Sequence, residues 1–278
     1  MKILKSFPVL LFLLCGFFNS YSQQNTGNTD YAALVALFEQ WREFENPPLL
    51  EGAPDYTAGG RKARWPEFKK LQAALQAMDT TGWATPEKVD WTLVWAEMNG
   101  YDFNQRVLQS WVRDPAFYKS VWMERSDVPA HEGPTHHRTT EVWTYEFPLS
   151  PTGREGFLKD LRVIPALNTQ ARQNLTGNAK ELWIAGIRDI RQQSQDLKAL
   201  LSLPGVGSDP DISKAIDNAI GSTDSFVQWL ETQAPSKTGP SGIGRENYTW
   251  YLQNVHLVPM TWADEVMLLK RELTRAWS

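Results

Sequence analysis

The chain is predicted to be mostly α: a multi-helix array with at most a short strand or hairpin near 141–147. Three observations lead there. Apolar residues recur three and four positions apart over nearly every long segment, the period of a helix with one face turned inward. Capping residues followed by proline mark the segment starts, as in Thr85-Pro86, Ser150-Pro151 and Asp209-Pro210, which suits a first turn whose N–H groups have no intrahelical partner. Strict alternation of apolar and polar residues, the mark of a half-buried strand, occurs only over Glu141 to Phe147.

In order along the chain, Lys2 and Lys5 precede an almost wholly apolar run from Phe7 to Phe18, and Ser20-Tyr-Ser22 places small residues for cleavage after Ser22. This is the pattern of a secretory signal, residues 1–22, and it is shorter than the roughly 20 apolar residues a spanning helix needs. Cys15, the only cysteine, lies inside it. The preceding Leu14 is too large for a lipoprotein cleavage site, so a secreted or periplasmic product is expected ahead of a lipid-anchored one. The remaining 256 residues, 23–278, would then hold no thiol and take their stability from a core rather than disulfides.

Asp30 can cap a helix with Tyr31, Leu34, Leu37, Phe38 and Trp41 on its inner face, ended by Asn46-Pro-Pro48. After a Gly- and Pro-bearing connection, a second helix is expected with Pro66 in its first turn and Phe68, Leu71, Leu75 and Met78 facing in. Thr85-Pro-Glu87 opens a third, running to about Val112 with Gly100 a weak point, before Asp114-Pro115 breaks the pattern. Residues 123–140 read as irregular, and in 141–147 Trp143, Tyr145 and Phe147 would share a strand face. Ser150-Pro151 starts a block ending at Pro165, followed by a helix to about Asn174. Long helices are expected over about 179–202 and 210–234, then a flexible linker over 234–244. The last segment begins with Thr261-Trp-Ala-Asp264, a capping box. Its Val266, Leu269, Leu273 and Ala276 recur at helical spacing, and Arg275-Ala-Trp-Ser278 carries no stop signal. The chain is therefore expected to be the front part of something longer.

The formal charge of −4, or −6 once the two signal-peptide lysines are removed, gives no concentration of positive charge for nucleic acid or an anionic membrane surface. All 13 tryptophans lie beyond residue 22, most within apolar helical patterns, where core packing is the default use of an indole. A Gly-rich phosphate loop, a Gly-x-Ser-x-Gly elbow and a cysteine nucleophile are all missing from the sequence.

Only His131-Glu132-Gly-Pro-Thr-His136-His137 has residue types suited to zinc. Its imidazoles are five apart rather than four, and Gly133-Pro134 interrupts any helix between them. An exposed polar loop without metal is the simpler expectation. His256 sits among Val255, Leu257 and Val258 and reads as a hydrogen-bonded packing residue. The acid pair Asp264-Glu265 is explained by helix capping.

Several stretches together resemble a bacterial family, domain-of-unknown-function family 885. They are Val89-Asp-Trp-Thr-Leu-Val-Trp-Ala-Glu-Met98, Arg113-Asp-Pro-Ala-Phe-Tyr118, and Leu161-Arg-Val-Ile-Pro-Ala-Leu167 with Ala171-Arg-Gln-Asn-Leu-Thr176. Further along come Gly242-Ile-Gly-Arg-Glu-Asn-Tyr-Thr-Trp-Tyr-Leu252, Pro259 and Arg271-Glu-Leu-Thr-Arg275. The resemblance implies relatives of zincin-type metallopeptidases, with a helical fold similar to zinc carboxypeptidases and a deep substrate channel. In such proteins a His-Glu-x-x-His helix in the C-terminal half holds the zinc that polarises the scissile carbonyl and activates water.

No residue here matches that motif, so the resemblance carries over no catalytic residue and no metal ligand. Zinc is expected only in a full-length relative. What it implies for this chain is the N-terminal helical portion of an exported hydrolase, forming channel walls for a peptide-like substrate and inactive alone. Its partner would be a C-terminal zinc domain or a second copy. Tyr248, Trp250 and Tyr251, following the Gly-rich linker, are the candidate substrate-binding patch, with core packing the alternative for these aromatics. A self-sufficient exported binding module, gripping peptide or glycan with its tryptophans, is the competing reading. A third is a small metal-binding protein using the 131–137 loop.

Overall fold

The structure is a computed structural model that describes residues 29–125 and 139–277. The expected signal peptide and the 131–137 histidine loop lie outside the described residues. Helices dominate, and the strands are two residues long.

The N-terminal part is built from α1 (Thr29–Glu45), α2 (Ala58–Gln76) and α3 (Thr85–Phe103). Their inner faces meet at Trp41, Phe44, Phe68, Leu75 and Met98, with Trp41 stacked on Phe44 and edge-on to Tyr101. Trp41 is fully buried and its indole N–H reaches the Glu97 carboxylate at 3.2 Å, which satisfies the one polar atom of that side chain. Between α1 and α2 the chain makes a tight hairpin of β1 (Leu49–Leu50) and β2 (Ala53–Pro54), antiparallel, with Leu50 opposite Ala53. Glu51 and Gly52 both take positive φ, the conformation a two-residue hairpin turn requires.

Prolines mark fewer boundaries than expected. Helix α2 starts at Thr57, whose hydroxyl accepts from the Gly60 N–H, so Pro66 falls in the helix interior. The two blocks expected around Pro165 form one helix, α5 (Pro151–Asn174), capped by Ser150. The third helix ends at Phe103 rather than near Val112. A π-helical turn over Asn104–Leu108 follows, then Gln109 in the left-handed region at φ 47°, then the short α4 (Ser110–Arg113). Gly100, the expected weak point, lies within α3 and is buried.

The rest of the core is a layer of three long helices: α5, α6 (Lys180–Leu200) and α7 (Pro210–Gln233), with α7 packed against both others. One cluster, towards the C-terminal ends of α5 and α7 and the N-terminal end of α6, buries Trp183, Ile190, Leu167, Phe226 and Leu230 with Trp111 and Tyr118. A second, towards the opposite ends of the same helices, buries Phe157, Leu161, Ile164, Leu197, Leu200 and Ile216. Asp209 caps α7, accepting from Asp211 and Ile212 N–H groups, and forms an ion pair with Arg154.

The region read as a strand over 141–147 is one only at its start. β4 (Thr140–Glu141) pairs in parallel with β3 (Val121–Trp122), and a 3-10 turn follows over Val142–Thr144. Tyr145 and Phe147 both meet Phe157 of α5 edge-on. Their alternation therefore reflects packing on a helix rather than a sheet face, and Trp143 is exposed.

The segment 234–244 opens with a 3-10 turn, Ala234–Ser236, and is then tied to the body. Arg113 donates to the Pro240 and Ser241 carbonyls, and the Ser241 hydroxyl accepts from the Glu181 and Leu182 N–H groups at the start of α6. Gly239 passes so close to Asn178 that a Cβ would stand 2.6 Å from its carbonyl oxygen. Its glycine content serves close approach at that point.

Asp114 accepts from the Ala116 N–H at the head of the 3-10 turn Pro115–Tyr118. Burial, with a smaller push from Asp189, raises its pKa to about 6. Against an unfolded value near 3.9, the sign follows from linkage: the native fold binds the proton more tightly. The stability contributed by Asp114 is therefore fully present below about pH 4 and is lost as pH rises through about 6. Asp114→Asn keeps the capping acceptor and removes the titration. It is expected to match the parent near pH 4 and to be more stable by about 1–2 kcal/mol at pH 7.5. Urea denaturation at the two pH values checks this, and equal stability at both would exclude Asp114 as a buried titrating group.

Candidate functional site

The sequence-predicted aromatic patch lies on α8 (Arg245–Asn254), which together with α9 (Trp262–Ala276) forms the last hairpin of the fold. The turn between them takes Leu257 through positive φ. The three aromatics do different work. Trp250 stacks flat on Phe103 with centroids 5.4 Å apart, and Tyr251 tilts against the same ring at 5.0 Å. With the bond from the Asn99 side-chain amide to the Asn254 carbonyl, they fasten α8 to α3. Tyr248 points the other way: its hydroxyl donates to the Glu265 carboxylate at 2.5 Å, which raises the phenol pKa above its ordinary value. His256, expected as a packing residue, is instead exposed, with its ring edge-on to Tyr251.

Helix α9 starts with the expected capping box. The Thr261 hydroxyl accepts from the Asp264 N–H, and the Asp264 carboxylate accepts from the Thr261 N–H at 2.9 Å. Its first turn is held to α8 by the Trp262 N–H, which donates to the Thr249 hydroxyl at 3.0 Å. Arg245 lies over the Trp262 ring, 4.1 Å from the centroid, a favourable cation–π placement.

Between the two helices runs an open groove of about 560 Å³, with Trp250 and Trp262 as apolar walls and Arg245, Glu246, Thr249 and Gln253 as polar groups. Mixed aromatic, cationic and amide groups around a shallow cleft suit an extended polar chain, such as a peptide, which needs apolar contact and hydrogen bonds together. Of the expected patch, Trp250 lines this groove, whereas Tyr248 bonds to Glu265 and Tyr251 packs on Phe103.

Arg245 and Trp262 were not singled out from the sequence. They are 17 positions apart on separate helices, and only the fold of the 255–260 turn joins them. Beyond its first turn α9 is largely exposed. It has no buried residue, and Leu269, Leu273 and Trp277 are 60%, 59% and 86% exposed.

Among the described residues, no group of three or more His, Cys, Asp or Glu side chains is placed to hold a metal ion. No described helix is long and apolar enough to cross a membrane.

No family model and no curated protein matches the chain. Among solved structures it is similar to one from Shewanella oneidensis described as a lipoprotein of unknown function, with a TM-score of 0.56 and 18% identity. The match covers 84% of this chain and 42% of that one, so the chain spans less than half of its neighbour's length. At that identity the likeness carries the helical fold alone.

Proposed function

We propose that this chain is the helical, substrate-positioning portion of an exported metallopeptidase-like hydrolase, inert by itself. The chemistry would belong to a zinc-bearing helical half of the full-length form. The observation that carries the reading is the apolar face of α9. Leu269, Leu273 and Trp277, with the half-buried Val266, share one side of a helix that has no buried residue and packs mainly on α8. Contiguous exposed apolar surface of this kind commonly marks an interaction site.

The shared fold with a lipoprotein about twice as long supports a second half as the covering element, and the groove beside α9 supports a peptide-like substrate. The expected signal peptide and the lipoprotein description of that neighbour favour an exported protein.

Two measurements test this. The purified chain should not cleave blocked di- and tripeptides with Zn²⁺ supplied, and zinc-dependent turnover abolished by Glu132→Gln in an intact fold would overturn it. The pair Leu269→Gln and Leu273→Gln should also leave the melting temperature within about 2 °C, because exposed positions contribute little to stability. A fall of more than about 5 °C would mean that the face is already packed. The self-sufficient binding module would then be the better reading.

A further inference from the structure

Helix α8 opens on two residues of opposite charge, Arg245 and Glu246, and both line the α8–α9 groove. Successive residues of a helix project about 100° apart, so the two side chains do not face each other as residues three or four apart do. Among the described residues neither is engaged in a hydrogen bond or an ion pair. The charged contact that Arg245 does make is with the Trp262 ring, 4.1 Å from its centroid.

That contact covers a flat face of the guanidinium and leaves its planar N–H edge for paired bonding to a carboxylate. Glu246 suits the first turn of a helix through the dipole, and this use leaves its carboxylate oxygens open as acceptors. One turn further along the same face stands Trp250, backed by Phe103 in a flat stack at 5.4 Å. The groove thus carries a cation and an anion side by side at one end, with an indole wall on each helix leading away from them. Its volume of about 560 Å³ falls in the range of small-molecule sites, about 300–1,000 Å³.

This charge pattern selects among ligands. A simple anion meets the Glu246 carboxylate, and a simple cation meets Arg245. An internal stretch of peptide offers only neutral amides, and each end of a long chain offers one charge. A free α-amino acid bears both charges on a single carbon, matching charges that the protein bears on adjacent residues.

We propose that the α8–α9 groove binds a free α-amino acid with an aromatic or large aliphatic side chain. Its carboxylate meets the Arg245 edge, its ammonium group meets Glu246, and its side chain lies along the walls formed by Trp250 and Trp262. The inference rests on reading this groove as a ligand cleft for peptide-like molecules and narrows its occupant to a single residue with both ends free.

Calorimetric titration of the full chain with L-phenylalanine, at constant ionic strength, tests the proposal. Saturable one-to-one binding is expected in about the millimolar range, because an open cleft leaves its charges partly screened by water. L-Phenylalaninamide and N-acetyl-L-phenylalanine, each lacking one charge, should bind at least about tenfold more weakly, the scale of one charge-assisted hydrogen bond. Arg245→Gln should abolish the discrimination against the amide alone, and Glu246→Gln the discrimination against the acetylated form alone. Both positions are exposed, and the crossed pattern is one that general loss of structure does not produce. Equal binding of free and blocked forms to the parent would overturn the assignment, as would discrimination unchanged in both variants. A blocked tripeptide with central phenylalanine separates the two readings of the groove. Its binding without binding of L-phenylalanine sinks the amino-acid site and leaves the peptide cleft standing, whereas binding of neither removes both.

Discussion

Gln193→Leu is expected to cost about 3–5 kcal/mol of folding stability, although Leu fills nearly the same volume. Gln193 is fully buried on α6, and its side-chain oxygen accepts from two backbone N–H groups, those of Ser120 at 2.6 Å and Val121 at 3.2 Å. Its amide nitrogen faces the Thr223 hydroxyl of α7 at 3.4 Å. One side chain thus satisfies the backbone at the start of β3 and joins it to two helices. A leucine leaves both N–H groups buried without acceptors, each at about 1–3 kcal/mol. The carbon framework around them would hardly change. Urea denaturation reads the loss directly, and a cost below about 1 kcal/mol would show that water reaches these groups and that the buried bonds are not what holds β3.

This residue also shows where sequence reading stops. A glutamine in an amphipathic helix looks like surface, and nothing local reports that a backbone turn 72 and 73 positions earlier needs its oxygen. What could be read were features with local causes. The capping side chains of Ser150, Asp209 and Thr261 all bond as their spacing implies, because an N-cap acts within three residues of itself.

Pro165 was legible in the wrong sense. It removes one intrahelical bond, but Leu161, Val163, Ile164 and Leu167 around it are all buried in two adjoining cores. Packing on both sides holds α5 continuous where a purely local rule would end it. At Gln109 the opposite occurs: a helix pattern continues in sequence while the backbone turns left-handed, so that Trp111 can reach the core and Arg61.

The candidate site divides in the same way. Its aromatic content on α8 could be read from the sequence. The groove itself depends on Trp262 and Arg245 meeting across a turn, which is a tertiary fact. The unpartnered stripe on α9 was visible as periodicity, since Leu269 and Leu273 define a face whether or not anything covers it.

Two glycine-to-alanine changes in helices should move stability in opposite directions, and the contrast isolates the close crossing of α6 over the 115–118 turn. In an exposed helix interior the substitution gains roughly 1 kcal/mol, because alanine loses less conformational freedom on folding. Gly221 on α7 is such a site: a Cβ there meets nothing within 4 Å. Gly221→Ala is therefore expected to raise stability by about 0.5–1 kcal/mol.

Gly186 on α6 is not such a site. A Cβ built there would stand 2.7 Å from the Pro115 Cβ and 2.9 Å from both the Pro115 Cδ and the Ala116 nitrogen. None of these atoms is the end of a flexible side chain. Pro115 is a buried ring, and the Ala116 N–H is held by the Asp114 carboxylate at 2.9 Å. Relief requires the whole turn to move away from α6, and with it Phe117 and Tyr118 in the central core. Overpacking of this kind costs about 1–3 kcal/mol beyond the helix-propensity gain it cancels. Gly186→Ala should then lower the melting temperature by about 4–8 °C, while Gly221→Ala raises it by about 1–3 °C. A Gly186→Ala protein as stable as the parent would mean that the turn at 115–118 yields easily and that α6 does not fix its position.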